Sequence, residues 1–175
     1  MICRRWGVLL LLAIQLHSYG QKQCGCTVDT ARILSDRNLG VFLAGLQSEQ
    51  FRTSKDKKDI PAAVIRQLRC LTYDSFSLAN PNEDYRCCCT SSRKLPVRRL
   101  IYFSKSKNFF IIAYSMGGIG TWTNLLMLRL EDDRIVDLWA GLGSSKMFSN
   151  EDVVEHIRSK SKRRRFEFHF DFVVI

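Results

Sequence analysis

Beyond Cys3, this chain carries six cysteines, and they are the residues best placed by type and spacing to do chemistry. Cys24 and Cys26 form one cluster, Cys87, Cys88 and Cys89 form another, and Cys70 stands alone between them. Within a cluster the thiols are too local to pair without strain. The economical scheme links Cys24 and Cys26 to two of the triplet and Cys70 to the third. A thiolate metal site is the sharper alternative, because C-x-C plus C-C-C could offer soft ligands to zinc or copper(I). Structural zinc sites prefer roughly two to four residues between paired cysteines, a spacing neither cluster has. Redox catalysis is the weakest option, since no C-x-x-C motif is present.

Histidine is scarce: His17, His156 and His169 are all the chain has. The best acid-base constellation is Glu167, His169 and Asp171 near the C-terminus. Residues i and i+2 on a strand lie about 6.6–7 Å apart. Side chains at that spacing could surround a metal ion or align a carboxylate with an imidazole. The plainer reading is the wet face of an amphipathic strand, because Phe166, Phe168, Phe170 and Phe172 alternate with them. Met116–Thr121 holds three glycines. It lacks the Lys-Ser/Thr of a phosphate loop, and a turn needing positive φ explains it as well. Ser144 and Ser145 have no G-x-S-x-G context, so neither reads as a nucleophile.

The strongest charge run is 158–165, where Arg158, Lys160, Lys162, Arg163, Arg164 and Arg165 put six cations in eight positions. Such a run suits an anionic surface: lipid headgroups, acidic glycans or nucleic-acid phosphates. It also suits a solvated helix end or a protease-sensitive loop. Without interleaved aromatics for base stacking, it argues against sequence-specific nucleic-acid recognition.

The N-terminus supplies the compartment. Arg4 and Arg5 precede an apolar stretch, Trp6 to Leu16, and Ser18 and Gly20 are small residues before a cut after Gly20. That order is the secretory signal pattern. A spanning helix needs about 20 apolar residues, more than this stretch offers. Cleavage would remove residues 1–20, including Cys3 and His17, and leave an even six cysteines. It would also lower 27 basic side chains to 25 against 17 acidic, a net charge of +8. An even cysteine count in an exported chain favours disulfides over standing thiols or a metal. The expected organisation is a signal peptide at 1–20, an N-terminal arm and helix at 21–58, and an α+β region at 59–175, the last two forming one globular unit. The setting is periplasmic or secreted, with no transmembrane segment in the mature chain.

The elements that must position these residues follow from periodicity. Residues 27–50 read as partly helical, with Ser35-Asp36 as N-cap and Leu39, Phe42, Leu43 and Leu46 as an apolar stripe. Residues 52–59 read as a charged, solvated loop. Asp59-Ile60-Pro61 opens a second helix that buries Ile60, Val64, Ile65 and Leu68 and ends at Cys70. Residues 76–84 end in a turn at Asn80-Pro81-Asn82, and the cysteine triplet and 90–94 continue as loop. Val97–Ser104, Asn108–Ser115, Trp122–Leu130 and Arg134–Ala140 read as a four-strand antiparallel meander. Phe109 to Tyr114 is apolar on both faces and so central, and Glu131-Asp132-Asp133 turns the second hairpin. Ser149-Asn150-Glu151-Asp152 starts a helix that presents Val153, Val154 and Ile157 to the sheet. Phe166–Ile175 is a final strand. Segregated helices and antiparallel strands define α+β.

The stretch Leu128–Trp139 resembles the closing hairpin of NTF2-like cone folds, a likeness carried by about 20 residues at most and too short to bring the cone pocket with it. Asp59-Ile60-Pro61, Phe76–Glu83 and the run from Gly117-Gly118-Ile119-Gly120 to Ile135–Trp139 resemble small exported bacterial proteins of uncharacterised function. That resemblance implies a periplasmic or secreted setting and no reaction. The expectation is therefore a non-enzymatic exported protein, binding or structural, with no cofactor and with an anionic surface or glycan as partner class. The alternatives are a pocket-containing ligand-binding or hydrolytic domain and a cysteine-based metal-binding protein.

Overall fold

A computed structural model of the chain describes residues 37–72, 75–87, 94–117 and 120–161. Among these residues three helices and six strands occur in the order α1 (Leu39–Ser48), β1 (Arg52–Ser54), α2 (Ala62–Leu71), β2 (Leu78–Ala79), β3 (Arg98–Lys105), β4 (Phe109–Met116), β5 (Trp122–Glu131), β6 (Arg134–Leu142) and α3 (Asn150–Ser161). The fold is α+β. The C-terminal strand expected at 166–175 lies outside the described residues; Ser35-Asp36 does too, but α1 starts at Leu39 with Asn38 in the N-cap position, so the expected cap is not that of α1.

Strands β3, β4, β5 and β6 form the antiparallel meander, in that spatial order. The far edge of β3 is shared by two short strands. β1 pairs antiparallel beside its C-terminal half, with Arg52 opposite Lys105. β2 pairs parallel beside its start, with Leu78 opposite Arg98. A bulge at Ile101 puts Ile101 and Tyr102 on one face of β3. A second irregularity leaves Val136 of β6 without a partner on β5.

Helices cover both faces, which is why β4 is apolar on both. On one side, α2 buries Val64 and Leu68 against Leu100, Phe103, Ile112, Leu126 and Leu138. On the other, α1 and α3 bury Phe42, Leu46, Val153 and Ile157 against Tyr102, Ile111, Leu125, Met127 and Trp139. Each face is filled by side chains, and the sheet is the middle layer.

Two expectations are corrected. Residues 52–59 are not simply a solvated loop: Arg52–Ser54 joins the sheet as β1 and Lys57–Asp59 makes a turn of 3-10 helix. The charged side chains face water, but the backbone of β1 completes the edge of β3. The second hairpin turns on two residues, not three, with Asp132 at φ 48° and Asp133 at φ 62°. Both φ values are left-handed, as a type I′ turn requires, and aspartate tolerates that region better than most residues.

The outer edge of β6 is blunted by side chains. Gln67 Oε1 accepts from the Ile135 N–H at 3.4 Å. Asn38 Nδ2 donates to the Leu138 carbonyl at 2.6 Å. Asp137 Oδ1 accepts from the Leu138 N–H at 3.0 Å, and His156 Nε2 lies 2.9 Å from the Leu142 carbonyl. An edge so occupied is a poor template for another chain.

Candidate functional site

An open groove of about 870 Å³ lies between α1 and α3. Its lining is Leu46 and Gln47 from α1 with Asn150, Glu151, Val154, Glu155, Arg158 and Ser159 from α3. Sequence positions four apart share a helix face. Glu151 and Glu155 therefore stand on the groove side with Arg158, while Val153 and Ile157 are buried against the sheet.

The start of α3 is fixed by a reciprocal cap. Ser149 Oγ accepts from the Asp152 N–H at 3.1 Å. Asp152 Oδ2 accepts from the N–H groups of Phe148 at 2.8 Å and Ser149 at 2.9 Å. This is the capping-box arrangement with an aspartate in the return position. Beneath it, the Tyr102 hydroxyl donates to Asn150 Oδ1 at 2.6 Å. Burial pushes the Tyr102 phenol up to about 12, so at neutral pH it is a neutral donor that ties the sheet to α3. The groove thus has a rigid wall and a mixed-charge rim. It can hold a polar ligand by hydrogen bonds and charge.

The sequence-nominated residues separate. Arg158 is exposed at the C-terminal end of the groove. Lys160 lies in α3, and Lys162, Arg163, Arg164 and Arg165 follow outside the described residues. Glu167, His169 and Asp171 are also outside them. His156, half-buried, faces the edge of β6. Cys70 sits half-buried at the end of α2 and Cys87 is half-buried beside the β4 terminus; Cys24, Cys26, Cys88 and Cys89 are outside the description. Among the described residues no group of three or more His, Cys, Asp or Glu side chains could hold a metal ion. The Met116–Thr121 turn starts from Gly117, whose N–H donates to the Val97 carbonyl at 3.1 Å. A Cβ there would lie 2.0 Å from the Arg86 carbonyl oxygen, so close backbone approach, and not φ, requires this glycine. Ser144 Oγ accepts from the Lys146 N–H at 3.2 Å, a turn-forming role.

Sequence reasoning missed the most buried charge. Arg98 is fully buried on β3. Its guanidinium lies 4.9 Å from the Phe76 ring centre and 5.9 Å from that of Tyr114, and it donates to the Ser75 carbonyl at 2.8 Å. Burial raises the Tyr114 phenol, and the Arg98 charge opposes that rise. Cation-π contact with desolvated rings helps a guanidinium tolerate burial. Phe76 and Tyr114 are far apart in sequence, so no local signal announces their shared cation. One basic residue next to another, Arg98-Arg99, reads as surface; only the neighbours separate them. Arg99 stacks at 4.4 Å on Tyr85 and is half-buried.

No helix among the described residues is long and apolar enough to cross a membrane. No protein-family model matches the chain, and no curated protein or solved structure matches it.

Proposed function

We propose that this chain is an exported, non-enzymatic protein that binds anionic partners in the cell envelope or outside the cell. The observation that carries the reading is the filling of both sheet faces by helix side chains. Polar groups of the kind enzymes use are committed to holding the fold. Tyr102 ties β3 to α3, and His156 and Asn38 cap the edge of β6. What remains for a partner is the outside of the helices.

The basic run that starts in α3 and goes on in the sequence after it supports the anionic class of partner. It begins at the exposed Arg158 and extends to Arg165. Cations at a helix C-terminus also complement its dipole, so the run stabilises α3 while concentrating charge. The N-terminal signal pattern supports export. The even six cysteines that cleavage would leave support an oxidising compartment.

Retention on heparin tests the binding. Protein collected from the export compartment should begin at Gln21 and elute from heparin at a salt concentration that falls when Arg163, Arg164 and Arg165 are changed to Ser. The slope of log affinity against log salt should flatten with the lost cations. Unchanged elution removes the basic run from the proposal, and a chain retained in the cytoplasm with residues 1–20 intact overturns export.

A further inference from the structure

Phe148 is an exposed aromatic side chain that the fold holds out deliberately. It is 57% exposed, whereas its neighbour Met147 is 1% exposed and sits in the core with Trp139 and Val153. The segment Lys146-Met147-Phe148 therefore alternates out, in, out. Both of its ends are tied: the Lys146 N–H donates to Ser144 Oγ at 3.2 Å, and the Phe148 N–H donates to Asp152 Oδ2 at 2.8 Å. Lys55, reaching from the end of β1, lies with its ammonium 5.2 Å from the centre of the Phe148 ring. Lys55 and Lys146 are exposed, and among the described residues neither is in an ion pair.

A lone exposed apolar side chain is ordinary. What distinguishes Phe148 is the combination of a backbone hydrogen-bonded at both sides, a lysine ammonium over the ring and a second exposed lysine two residues before it. Asp152 turns inward to the cap, Asp56 accepts from the Lys58 N–H and Asn80, and Glu151 lines the groove on α3. An aromatic side chain favours the boundary between headgroups and acyl chains, and lysine stems lie along apolar surface while their ammonium groups reach phosphate.

We infer that Phe148, Lys55 and Lys146 form an insertion point for the surface of an anionic phospholipid membrane. This rests on the proposed anionic-partner reading and narrows it to lipid, with residues distinct from the basic run. The rigid cap means that no loop must be ordered when the ring enters the headgroup layer, so little of the binding energy is lost to entropy.

Co-sedimentation with vesicles tests it, using protein purified from the export compartment. Phosphatidylcholine vesicles containing phosphatidylserine are compared with phosphatidylcholine alone. Phe148→Ser should weaken binding to the anionic vesicles roughly tenfold, from the apolar surface no longer removed from water. Lys55→Gln and Lys146→Gln should each weaken it about fivefold, the worth of one surface cation. Phe148→Trp should restore binding, and Phe148→Ser should melt at the parental temperature and elute from heparin unchanged. Parental vesicle binding by Phe148→Ser overturns the inference while heparin retention keeps the anionic reading alive. Wild-type protein that binds heparin but not the anionic vesicles does the same. Protein that binds neither overturns both, and equal binding to neutral vesicles refutes the lysine component.

Discussion

Replacing Asn38 with Leu should cost about 3 kcal/mol and expose the sheet edge. Asn38 is fully buried just before α1, and its amide reaches a strand some hundred residues on. Nδ2 donates to the Leu138 carbonyl at 2.6 Å and to Asp137 Oδ1 at 2.9 Å. A neutral hydrogen bond contributes about 1 kcal/mol net, and one to a carboxylate about 2. Leucine is near enough in volume to fill the space but leaves the Leu138 carbonyl without its donor. A loss of about 3 kcal/mol in a domain of this size lowers Tm by roughly 10 °C. Urea unfolding should show a lower midpoint with an unchanged slope. Asn38→Asp should be worse than Asn38→Leu, since a second carboxylate would face Asp137. Val136→Thr, on the same strand with an exposed side chain, should stay within about 0.5 kcal/mol. Size-exclusion chromatography should show concentration-dependent association of the leucine variant, because an uncapped edge invites pairing. A loss below about 1 kcal/mol would refute the account, as would a benign Asn38→Asp.

Three further outcomes are expected. Gly117→Ala should destabilise by about 3 kcal/mol or prevent folding, since its methyl would collide with the backbone of one neighbouring segment: the Arg86 carbonyl oxygen at 2.0 Å and Cys87 Cα at 2.8 Å. A thermal melt decides it. Asp133→Gly should stabilise the β5–β6 turn by about 0.5–1 kcal/mol by relieving a left-handed φ, less whatever the exposed contact with Arg66 contributes; an unchanged or lower midpoint would refute this. Tyr102 has a folded-state value raised from 10.0 to about 12. Its neutral form is favoured on folding, so this contribution is fully present below about pH 10 and is lost as pH rises towards about 12. Tyr102→Phe should be less stable than the parent at neutral pH and should lose less stability across that alkaline window, read as the difference between two urea series.

Much of the fold was legible in the sequence because it is written in local patterns. The meander appeared from runs such as Phe109 to Tyr114, apolar at consecutive positions because helices cover both faces. The start of α3 appeared from Ser149 and Asp152, which do cap it. The α2 stripe was sound for Ile60, Val64 and Leu68, with Ile65 only half-buried. β1 and β2 were illegible because two or three residues carry no period of their own; the partner backbone of β3 makes them strands. The groove was missed for a similar reason. Gln47 and Glu151 are unremarkable polar residues until two helices lie side by side.

Composition, charge and the order of polar and apolar residues thus determined the class of fold, the number of central strands and where α2 and α3 begin, since each depends on neighbours within a turn or two. Tertiary structure alone decided which charges are buried and which faces are spent. Arg98 and Arg99 are adjacent and identical, yet one is sealed between Phe76 and Tyr114 and the other rests half-buried on Tyr85. The alternation of a strand sends them to opposite faces, and burial then depends on side chains brought there from distant parts of the chain. Met147 and Phe148 divide in the same way, one into the core and one into water, because the cap of α3 sets the direction in which each can point.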